Sequence, residues 1–329
     1  MYNVKKGNEA SMKRKITKIS LLTILLLMVS ACVPRTRNVV VTNYPNQFLM
    51  ERLAGNRVNI ERLDSGNIPQ LATIHNDYEA IIKRADVLFY INELQPYWEL
   101  YKDDITEAKV QMIDLSERSA MYPFSRYTNV SVTEVPHYID TPYYDGLTTP
   151  DVYNMDPFLW MDPLNMTSMA RTMVDWLVSV YPDDAALFEE NFDQLEIELV
   201  RLQAELQLLQ SQNVPVRFVT MSPSFGNWQK SYDVGVYPLV MSKYGVLPNE
   251  DELTIIRDRI MNDNVQFIAY EEGMPQDWID LFNRIRLELD LTRIDLNNGF
   301  TLSANDLESN NDYITKMYQN LETLEAAAQ

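Results

Sequence analysis

Residues 156–163 read Asp-Pro-Phe-Leu-Trp-Met-Asp-Pro, and this stretch decides the fold of the 329-residue chain. The second Asp-Pro pair predicts the start of a helix, because Asp162 is a good N-cap residue and proline suits the first helical position. Beyond it, apolar residues recur every three or four positions to about Tyr181, which is typical of a helix with one buried face. The middle of the chain is therefore predicted to hold one long helix.

Strands and helices alternate on both sides of this helix. Alternation at this spacing predicts βαβ units with a mostly parallel sheet, and a mature length of about three hundred residues favours two lobes. Gly55 is predicted to end the first of the helices. The predicted strands are 39–42, 58–63, 87–90, 216–221, 266–270 and 292–296, and the predicted helices are 45–54, 74–84, 164–181, 185–211, 250–262, 275–289 and 312–326.

Residues 120–155 have a different character. They are rich in tyrosine, proline, threonine and aspartate and show no sustained period, so they are predicted to form a long surface loop. His137 lies in this segment and is one of only two histidines in the chain, the other being His75. The segment suits either a partner surface, because tyrosines are good interface residues, or a cover over a ligand site.

The N-terminus is predicted to be an export signal with a lipid-attachment site. Basic residues at 13–18 precede an apolar run at 19–29 that is too short to span a bilayer comfortably. Small residues and Cys32 follow in the order Val-Ser-Ala-Cys, which resembles a bacterial lipobox. We expect residues 1–31 to be a signal peptide and residues 32–38 a tether, attached to the membrane by lipid on Cys32.

Composition excludes several classes of function. Cys32 is the only cysteine, so no intrachain disulfide can form. Without residues 1–31 the chain has 22 basic and 46 acidic residues, and a formal charge of −24 repels nucleic acid and anionic lipid headgroups. The sequence contains no recognisable nucleophile–base set and no Gly-rich phosphate loop, so we expect neither enzymatic activity nor a cofactor. The protein is expected to be a monomer.

The stretch at 156–163 resembles the Asp-Pro-His-x-Trp-Leu-Asp-Pro signature of the zinc/manganese solute-binding lipoproteins of metal ABC transporters. Four further segments are similar to motifs of that family in the same order, namely 41–58, 69–90, 218–226 and 270–272. The resemblance implies an N-terminal α/β lobe at 39–163, a rigid linker helix at 164–182 and a C-terminal α/β lobe at 183–329, with the ligand in the cleft between the lobes. It also implies an ABC permease as partner and a lipid-anchored position on the extracytoplasmic face of the cell membrane.

The resemblance also locates the four metal-ligand positions of the family. Two histidines and a third ligand, histidine or glutamate, correspond here to Gln70, Phe158 and Ser222. The fourth, an aspartate position, corresponds to Asp295, and Glu271 is expected to lie beside these positions. A phenyl ring has no lone pair to offer a cation, and zinc requires three or four strong donors. Because the chain holds only two histidines, high-affinity zinc binding of the family type is excluded.

Three interpretations of the altered cleft stay open. The Phe158 ring either packs between the lobes and fills the cleft, or stacks on a small organic ligand that is held by Gln70, Ser222 and Asp295. The third is a hard cation bound weakly by the oxygen atoms of the same three polar residues and of Glu271. This is the least favoured, because the phenyl ring would place an apolar face beside the cation.

Two functions fit this sequence. The first is a transport receptor, a lipid-tethered solute-binding protein that delivers a non-classical ligand, or none, to a permease. The second is a surface lipoprotein that acts as an adhesin or interaction module and whose cleft is inactive. His75 and His137 are expected to be ordinary surface residues.

Overall fold

The structure of the protein is a computed structural model that describes residues 35–124, 128–132, 135–139, 151–209 and 216–328. Cys32, the predicted signal peptide and the first part of the predicted tether lie outside these ranges. Among the described residues, no helix has both the length and the apolar character needed to cross a membrane.

The first half of the chain forms a four-stranded sheet with helices. Its elements are β1 (Arg37–Val41), α1 (Tyr44–Ala54), β2 (Val58–Arg62), β3 (Asp64–Ser65), β4 (Thr73–Ile74), α2 (Tyr78–Arg84), β5 (Val87–Tyr90), α3 (Trp98–Glu107) and β6 (Gln111–Asp114). The strand order is β2-β1-β5-β6, and β5 pairs in parallel with both of its neighbours. The short strands β3 and β4 form a separate antiparallel pair.

The ends of α1 show how the local sequence sets this fold. The side chain of Asn43 accepts a hydrogen bond from the N–H of Asn46 and so caps the first turn. Gly55 follows the last residue of the helix with φ at 55°, and its N–H donates to the carbonyl of Glu51. This positive φ favours glycine, and the predicted end of the helix is confirmed.

The middle of the chain contains a hairpin and two long helices. These elements are β7 (Thr128–Val132), β8 (Val135–Ile139), α4 (Pro163–Val180) and α5 (Ala185–Leu208). The prediction of a long surface loop at 120–155 is wrong at 128–139, because β7 and β8 pair in antiparallel register with Val130 opposite His137. The β-branched residues on both sides of a two-residue link favour this hairpin, and Pro136 obscures their period.

The second half repeats the architecture of the first. Its elements are β9 (Arg217–Thr220), α6 (Gly226–Tyr232), β10 (Gly235–Pro238), α7 (Glu250–Asn262), β11 (Phe267–Tyr270), α8 (Gln276–Glu288), β12 (Thr292–Asp295), α9 (Ala304–Glu308) and α10 (Tyr313–Ala327). The strand order is β10-β9-β11-β12, and all three pairings are parallel. The predicted fold of two α/β halves with mostly parallel sheets is therefore confirmed.

Some boundaries differ from the predictions. The helix predicted from residue 74 begins at Tyr78, because Thr73–Ile74 pairs with Asp64–Ser65 in the small antiparallel ladder. The edge strands β6 and β10, with the helices α3 and α6 that precede them, were not anticipated from the sequence. Strand β6 has no fully buried residue, and β10 is a four-residue stretch that contains Gly235 and Pro238, so neither has the apolar run that marks the central strands.

Residues Asn38–Gln329 form one compact unit with a continuous hydrophobic core. Helix α5 contributes to its continuity, since it packs against α1 from the first half and α10 from the second. Arg52 on α1 forms two hydrogen bonds with the carboxylate of Glu198 on α5, at 2.7 and 3.0 Å. A smaller core covers the other face of the first sheet. The lobe boundaries at 164 and 183 stay predictions, because α5 contacts both halves.

Candidate ligand cleft

Gln70, at the first predicted position, lies in a single 3-10 turn (Pro69–Leu71) and its side chain is buried. The Nε2 atom donates a hydrogen bond to the carbonyl of Val240 at 3.3 Å, from the first half of the chain to the second. The N–H of Val240 in turn donates to the carbonyl of Met221 at 2.9 Å. Gln70 therefore reaches the segment that carries Ser222.

Phe158, at the second predicted position, has no exposed surface. Its ring centroid lies 5.4 Å from that of Tyr153 and 5.7 Å from that of Trp160, and both contacts are edge-to-face. Its N–H donates to Asp156 Oδ1 at 3.1 Å, and its carbonyl accepts from Asn227 Nδ2 at 3.0 Å. Edge-to-face ring pairs contribute ~0.5–1.5 kcal/mol beyond burial. Phe158 is thus a packed interior residue with its backbone also held in place.

Ser222, at the third predicted position, binds the carboxylate of Glu271 through two groups. Its N–H donates to Oε1 at 2.8 Å, and its hydroxyl donates to Oε2 at 2.5 Å. Asn298 Nδ2 donates to Oε2 at 3.1 Å, and the hydroxyl oxygen of Ser224 lies 2.8 Å from that of Ser222. All four side chains are buried. Glu271 therefore lies beside a predicted position, as expected. Its carboxylate accepts hydrogen bonds from Ser222 and Asn298.

The environment of Glu271 has two opposing effects on the ionisation of its carboxyl group. Burial raises the pKa of this carboxyl group, whereas the hydrogen bonds from Ser222 and Asn298 lower it. Among the residues that the structure describes, no three or more histidine, cysteine, aspartate or glutamate side chains are grouped so that they could hold a metal ion.

Trp160 connects the aromatic and polar parts of this region. Its ring contacts that of Phe158, and its indole Nε1 donates to the carbonyl of Asn298 at 2.7 Å. Asn298 also binds Glu271, the partner of Ser222. Together with the Gln70 hydrogen bond, these contacts bring three of the four predicted positions into one buried region between the two halves. We call this region the cleft cluster, defined by Gln70, Phe158, Ser222, Glu271 and Asn298.

Asp295, the fourth predicted position, is not brought into the cleft cluster. Its side chain is 70% exposed, and its Oδ1 accepts from Arg293 Nε at 2.8 Å and from a terminal nitrogen of the same guanidinium at 2.6 Å. That guanidinium also lies 3.8 Å from the ring centroid of Tyr270. Asp295 lines an open surface groove of about 550 Å³ between the ends of β11 and β12 and helix α10. The geometry gives its predicted ligand role no support.

Asn298 is the residue of this segment that joins the cleft cluster, three positions after the predicted one. The signal for it is weak: a pair of asparagines beyond the carboxyl end of a strand, where α/β proteins place ligand-contacting residues. Ser224 and Asn227 were also not anticipated, since a serine or an asparagine near the start of a short helix is common for structural reasons alone.

The two histidines do not contribute to the cleft cluster in the described structure. The side chain of His75 is 48% exposed, and its Nδ1 lies 3.8 Å from Asp77 Oδ1. This agrees with the expectation of a surface histidine. The backbone of His137 lies in β8, and its side chain is outside the described structure.

Comparison with known proteins identifies a family for this arrangement. The family model described as "ZnuA: Zinc-uptake complex component A periplasmic" matches residues 39–327. The zinc-binding protein AdcA of Streptococcus pyogenes serotype M3 (strain MGAS315) is 22% identical over 173 residues, which are 51% of this chain and 32% of AdcA. The chain thus spans about a third of the length of the curated relatives that it matches.

Solved structures share the fold. The zinc-binding protein TroA of Treponema pallidum superimposes with a TM-score of 0.69 at 17% identity, covering 89% of this chain and 99% of TroA. A mutant of the laminin-binding adhesin Lmb of Streptococcus agalactiae gives a TM-score of 0.70 at 17% identity, covering 88% of this chain and 99% of that one. At these identities the likeness establishes the two-lobe fold and not the ligand.

Proposed function

The chain belongs to the family of periplasmic zinc-uptake components, and on that premise we propose that it is a lipid-anchored solute-binding protein of an ABC transporter that has lost the zinc site of the family. Members of this family are solute-binding proteins and not enzymes, so the expectation of no enzymatic activity is confirmed. The loss of the zinc site, the lipid anchor and the identity of the cargo belong to the proposal.

The observation that carries the proposal is the full burial of Phe158 among the predicted ligand positions. Zinc requires several nitrogen, sulfur or carboxylate donors in a tetrahedral arrangement. Of the three positions that converge, Gln70 has an amide, Phe158 has no donor and Ser222 has a neutral hydroxyl. The nearest carboxylate, on Glu271, already accepts three hydrogen bonds. The donor set therefore does not fit zinc.

Filling of the cleft by Phe158 is the interpretation that we favour. The ring is enclosed by Tyr153 and Trp160, and Trp160 is itself bound to the second half through Asn298. Packing of this kind stabilises contact between the halves without a ligand. The oxygen-only cation site loses support, because it requires the exposed carboxylate of Asp295, which is paired with Arg293.

Attachment to the membrane is proposed to depend on Cys32, which lies outside the described structure. The acidic surface is unsuited to anionic lipid headgroups, so an acyl chain is the anchor that the composition allows. Changing Cys32→Ala should move the protein from the membrane fraction to the soluble extracytoplasmic fraction. Retention of the variant in the membrane would contradict the anchor and leave the interpretation of the cleft cluster intact.

A second candidate function is adhesion, and the similarity to the laminin-binding adhesin Lmb is the observation that favours it. An adhesin that uses its outer surface requires no open cleft, which agrees with the packing of Phe158. Binding of the purified protein to immobilised laminin, with serum albumin as the reference surface, separates the two candidates. Saturable binding to laminin alone would favour adhesion.

The loss of the zinc site is tested by calorimetric titration of residues 33–329 with zinc. We expect no one-to-one binding tighter than about 1 μM, equivalent to about 8.2 kcal/mol. The triple change Gln70→His, Phe158→His and Ser222→His should create measurable affinity, because it restores three imidazole donors to neighbouring positions. The same three positions changed to asparagine are the matched control, since they gain polarity without imidazole nitrogen.

Each result of this titration has a distinct meaning. Tight binding of zinc by the parent protein would refute the loss of the site. A folded triple-histidine variant that binds no better than the triple-asparagine variant would show that the three positions do not converge as described.

A further inference from the structure

Residues 151–156 are bound to both halves of the chain, and we call this segment the strap. At its start, the carbonyl of Asp151 accepts a hydrogen bond at 2.7 Å from the N–H of Lys243, in the second half. Three residues later, the N–H and the Nδ2 atom of Asn154 donate to the two carboxylate oxygens of Glu93, in the first half, each at 3.1 Å. The strap therefore connects the two halves by contacts at two separate points.

Between these two attachments the strap covers the cleft cluster. Tyr153 is buried, and its ring is one of two that contact the ring of Phe158, the other being that of Trp160. The ring of Tyr153 also contacts that of Phe124 at 5.2 Å, and the N–H of Phe124 donates to the carbonyl of Asn154 at 3.1 Å. Movement of the strap away from the protein would thus uncover Phe158.

Glu93, which binds the strap in the first half, has a strained backbone. Among the described residues, six that are not glycine have positive φ, and five of them lie one or two residues beyond the end of a helix, where this conformation is common, namely Lys109, Asp233, Asn264, Asp290 and Asn310. Glu93, with φ at 64°, lies instead in a turn after β5. A glutamate in this conformation is strained, and strain of this kind is concentrated at ligand clamps and switch segments.

The hydroxyl group of Tyr153 adds a second unfavourable contribution to the closed position of the strap. It is buried, and no group among the described residues forms a hydrogen bond with it. Burial of a hydroxyl group without a partner costs free energy, because its hydrogen bonds to water are lost and not replaced. Removal of Tyr153 from its position over Phe158 would return this hydroxyl to water.

We propose that the strap is a gate over the cleft cluster, which the contact between Asn154 and Glu93 holds closed. The strain at Glu93 and the unpaired hydroxyl of Tyr153 lower the free energy of opening below that of global unfolding. Opening gives a solute access to Phe158 without separation of the two halves. The proposal rests on the proposed function only in taking the cleft cluster as the ligand site. Its tests involve no zinc, so their failure would leave the result of the zinc titration unaffected.

Thiol labelling tests the gate, because residues 33–329 contain no cysteine and Asn38–Gln329 form one compact unit. The Ser222→Cys variant has its thiol in the cleft cluster. The Ala54→Cys variant has its thiol in the core, at the end of α1 that is farther from the carboxyl end of β1. Without denaturant, the first thiol should react at least about tenfold faster than the second, since local opening is more frequent than global unfolding.

Two changes in the strap should alter labelling in the cleft cluster in opposite directions. Asn154→Ala should accelerate it roughly tenfold, because one hydrogen bond to the carboxylate of Glu93 is lost. Tyr153→Phe should slow it severalfold, because the change removes the unpaired hydroxyl and keeps the ring. Asn59→Ala is the matched control for the first change: it removes an exposed hydrogen bond of 3.0 Å between asparagine side chains of β1 and β2, and should leave the rate unchanged.

Hydrogen exchange of the parent protein tests the gate without any substitution. The N–H of Phe124, which is bonded to the strap, should exchange faster than that of Val219 in the central strand β9. Equal exchange at these two sites would overturn the gate. So would labelling in the cleft cluster that Asn154→Ala does not change, or that rises equally at the Ala54→Cys thiol. A rate for Tyr153→Phe at or above that of the parent would overturn the contribution assigned to the hydroxyl.

Discussion

Ser222 and Glu271 form a two-point contact in which the backbone N–H and the hydroxyl of one serine bind both oxygens of one buried carboxylate, at 2.8 and 2.5 Å. The contact joins the end of β9 to the end of β11 and leaves Oε2 able to accept from Asn298 as well. The carboxylate of Glu271 thus accepts three hydrogen bonds from protein groups.

The first prediction concerns the strength of this contact. Ser222→Ala should lower the free energy of unfolding by ~0.5–3 kcal/mol, because it removes a hydrogen bond to a buried carboxyl group. Ser224→Ala removes a neighbouring hydroxyl that does not contact Glu271 and is the control. Urea unfolding measures both, and a double-mutant cycle with Glu271→Gln isolates the interaction. Equal losses of unfolding free energy in the two serine variants would contradict the prediction that the hydrogen bond from Ser222 to Glu271 stabilises the fold.

The second prediction tests whether Phe158 fills the cleft. Phe158→Ala should cost ~3–5 kcal/mol, because it removes a fully buried ring from a packed region and leaves a cavity. Phe158→Leu keeps most of the apolar volume and should cost clearly less. Thermal unfolding followed by circular dichroism gives both values. If Phe158 serves instead to stack on a ligand, the alanine variant should lose less than about 1 kcal/mol in the absence of ligand.

The third prediction uses the close approach of Gly273 and Asn67, which belong to different halves. Gly273 has φ at 84°, and a Cβ atom built on it would lie 2.4 Å from Asn67 Nδ2 and 2.5 Å from Asn67 Cβ. Gly55 also has positive φ, at 55°, but a Cβ there has nothing within 4 Å. Gly55→Ala therefore reports backbone strain alone, of ~1–3 kcal/mol.

Gly273→Ala should lower the free energy of unfolding by more than Gly55→Ala, because it adds a steric clash with Asn67 to the strain of a positive φ. Asn67→Gly in the Gly273→Ala background should recover part of the difference by removing the clashing side chain. Chemical denaturation of the four proteins provides the comparison. Equal losses of unfolding free energy in the two alanine variants would mean that the chain near Gly273 and Asn67 moves apart to accommodate the added Cβ atom without a measurable loss of stability.

The fourth prediction concerns pH. Asp64 is buried beside Tyr97, whose hydroxyl donates to its Oδ1, and burial raises the pKa of this carboxyl group well above its usual value of 3.8. Because the pKa of Asp64 is higher in the folded protein than in the unfolded chain, its protonated carboxyl group stabilises the fold. This contribution of Asp64 is complete below about pH 3.9, the pKa in the unfolded chain, and is lost as pH rises through the pKa in the folded protein.

Asp64→Asn should therefore flatten the dependence of the unfolding free energy on pH above about pH 4, by up to ~1.4 kcal/mol per pH unit. Asp104→Asn is a matched control, because Asp104 accepts from the hydroxyl of Tyr78 at 2.8 Å in an exposed pair. Urea unfolding at several pH values measures the slope. An unchanged slope for Asp64→Asn would show that Asp64 is already ionised at little cost.

The sequence predicted those parts of the molecule that depend on local patterns. The end of α1, the start of α4 and the central strands follow from residue types at fixed spacing, so Gly55 and Asp162 were enough to place the two helix ends, whereas the cap by Asn43 was not anticipated. The convergence of Gln70, Phe158 and Ser222 followed from a family motif, since apolar periodicity alone contains no information about which strand ends meet.

Contacts that depend on tertiary structure were not predictable in the same way. Asp295 and Asn298 both follow the same strand, and only the three-dimensional path decides that Asn298 turns inward while Asp295 pairs with Arg293. Similarly, the apolar pattern of α5 predicts a buried face but does not specify that the helix packs against both halves of the chain.

The continuous core has a consequence for how this protein could exchange cargo. Rigid-body opening about a hinge would expose apolar surface from both halves at a cost of ~25 cal/mol per Å². Helix α5 packs against both α1 and α10, so a hinge that separated those two helices would also break its contacts with one of them. A wide opening of the two halves would therefore cost free energy in proportion to the apolar area that it exposes.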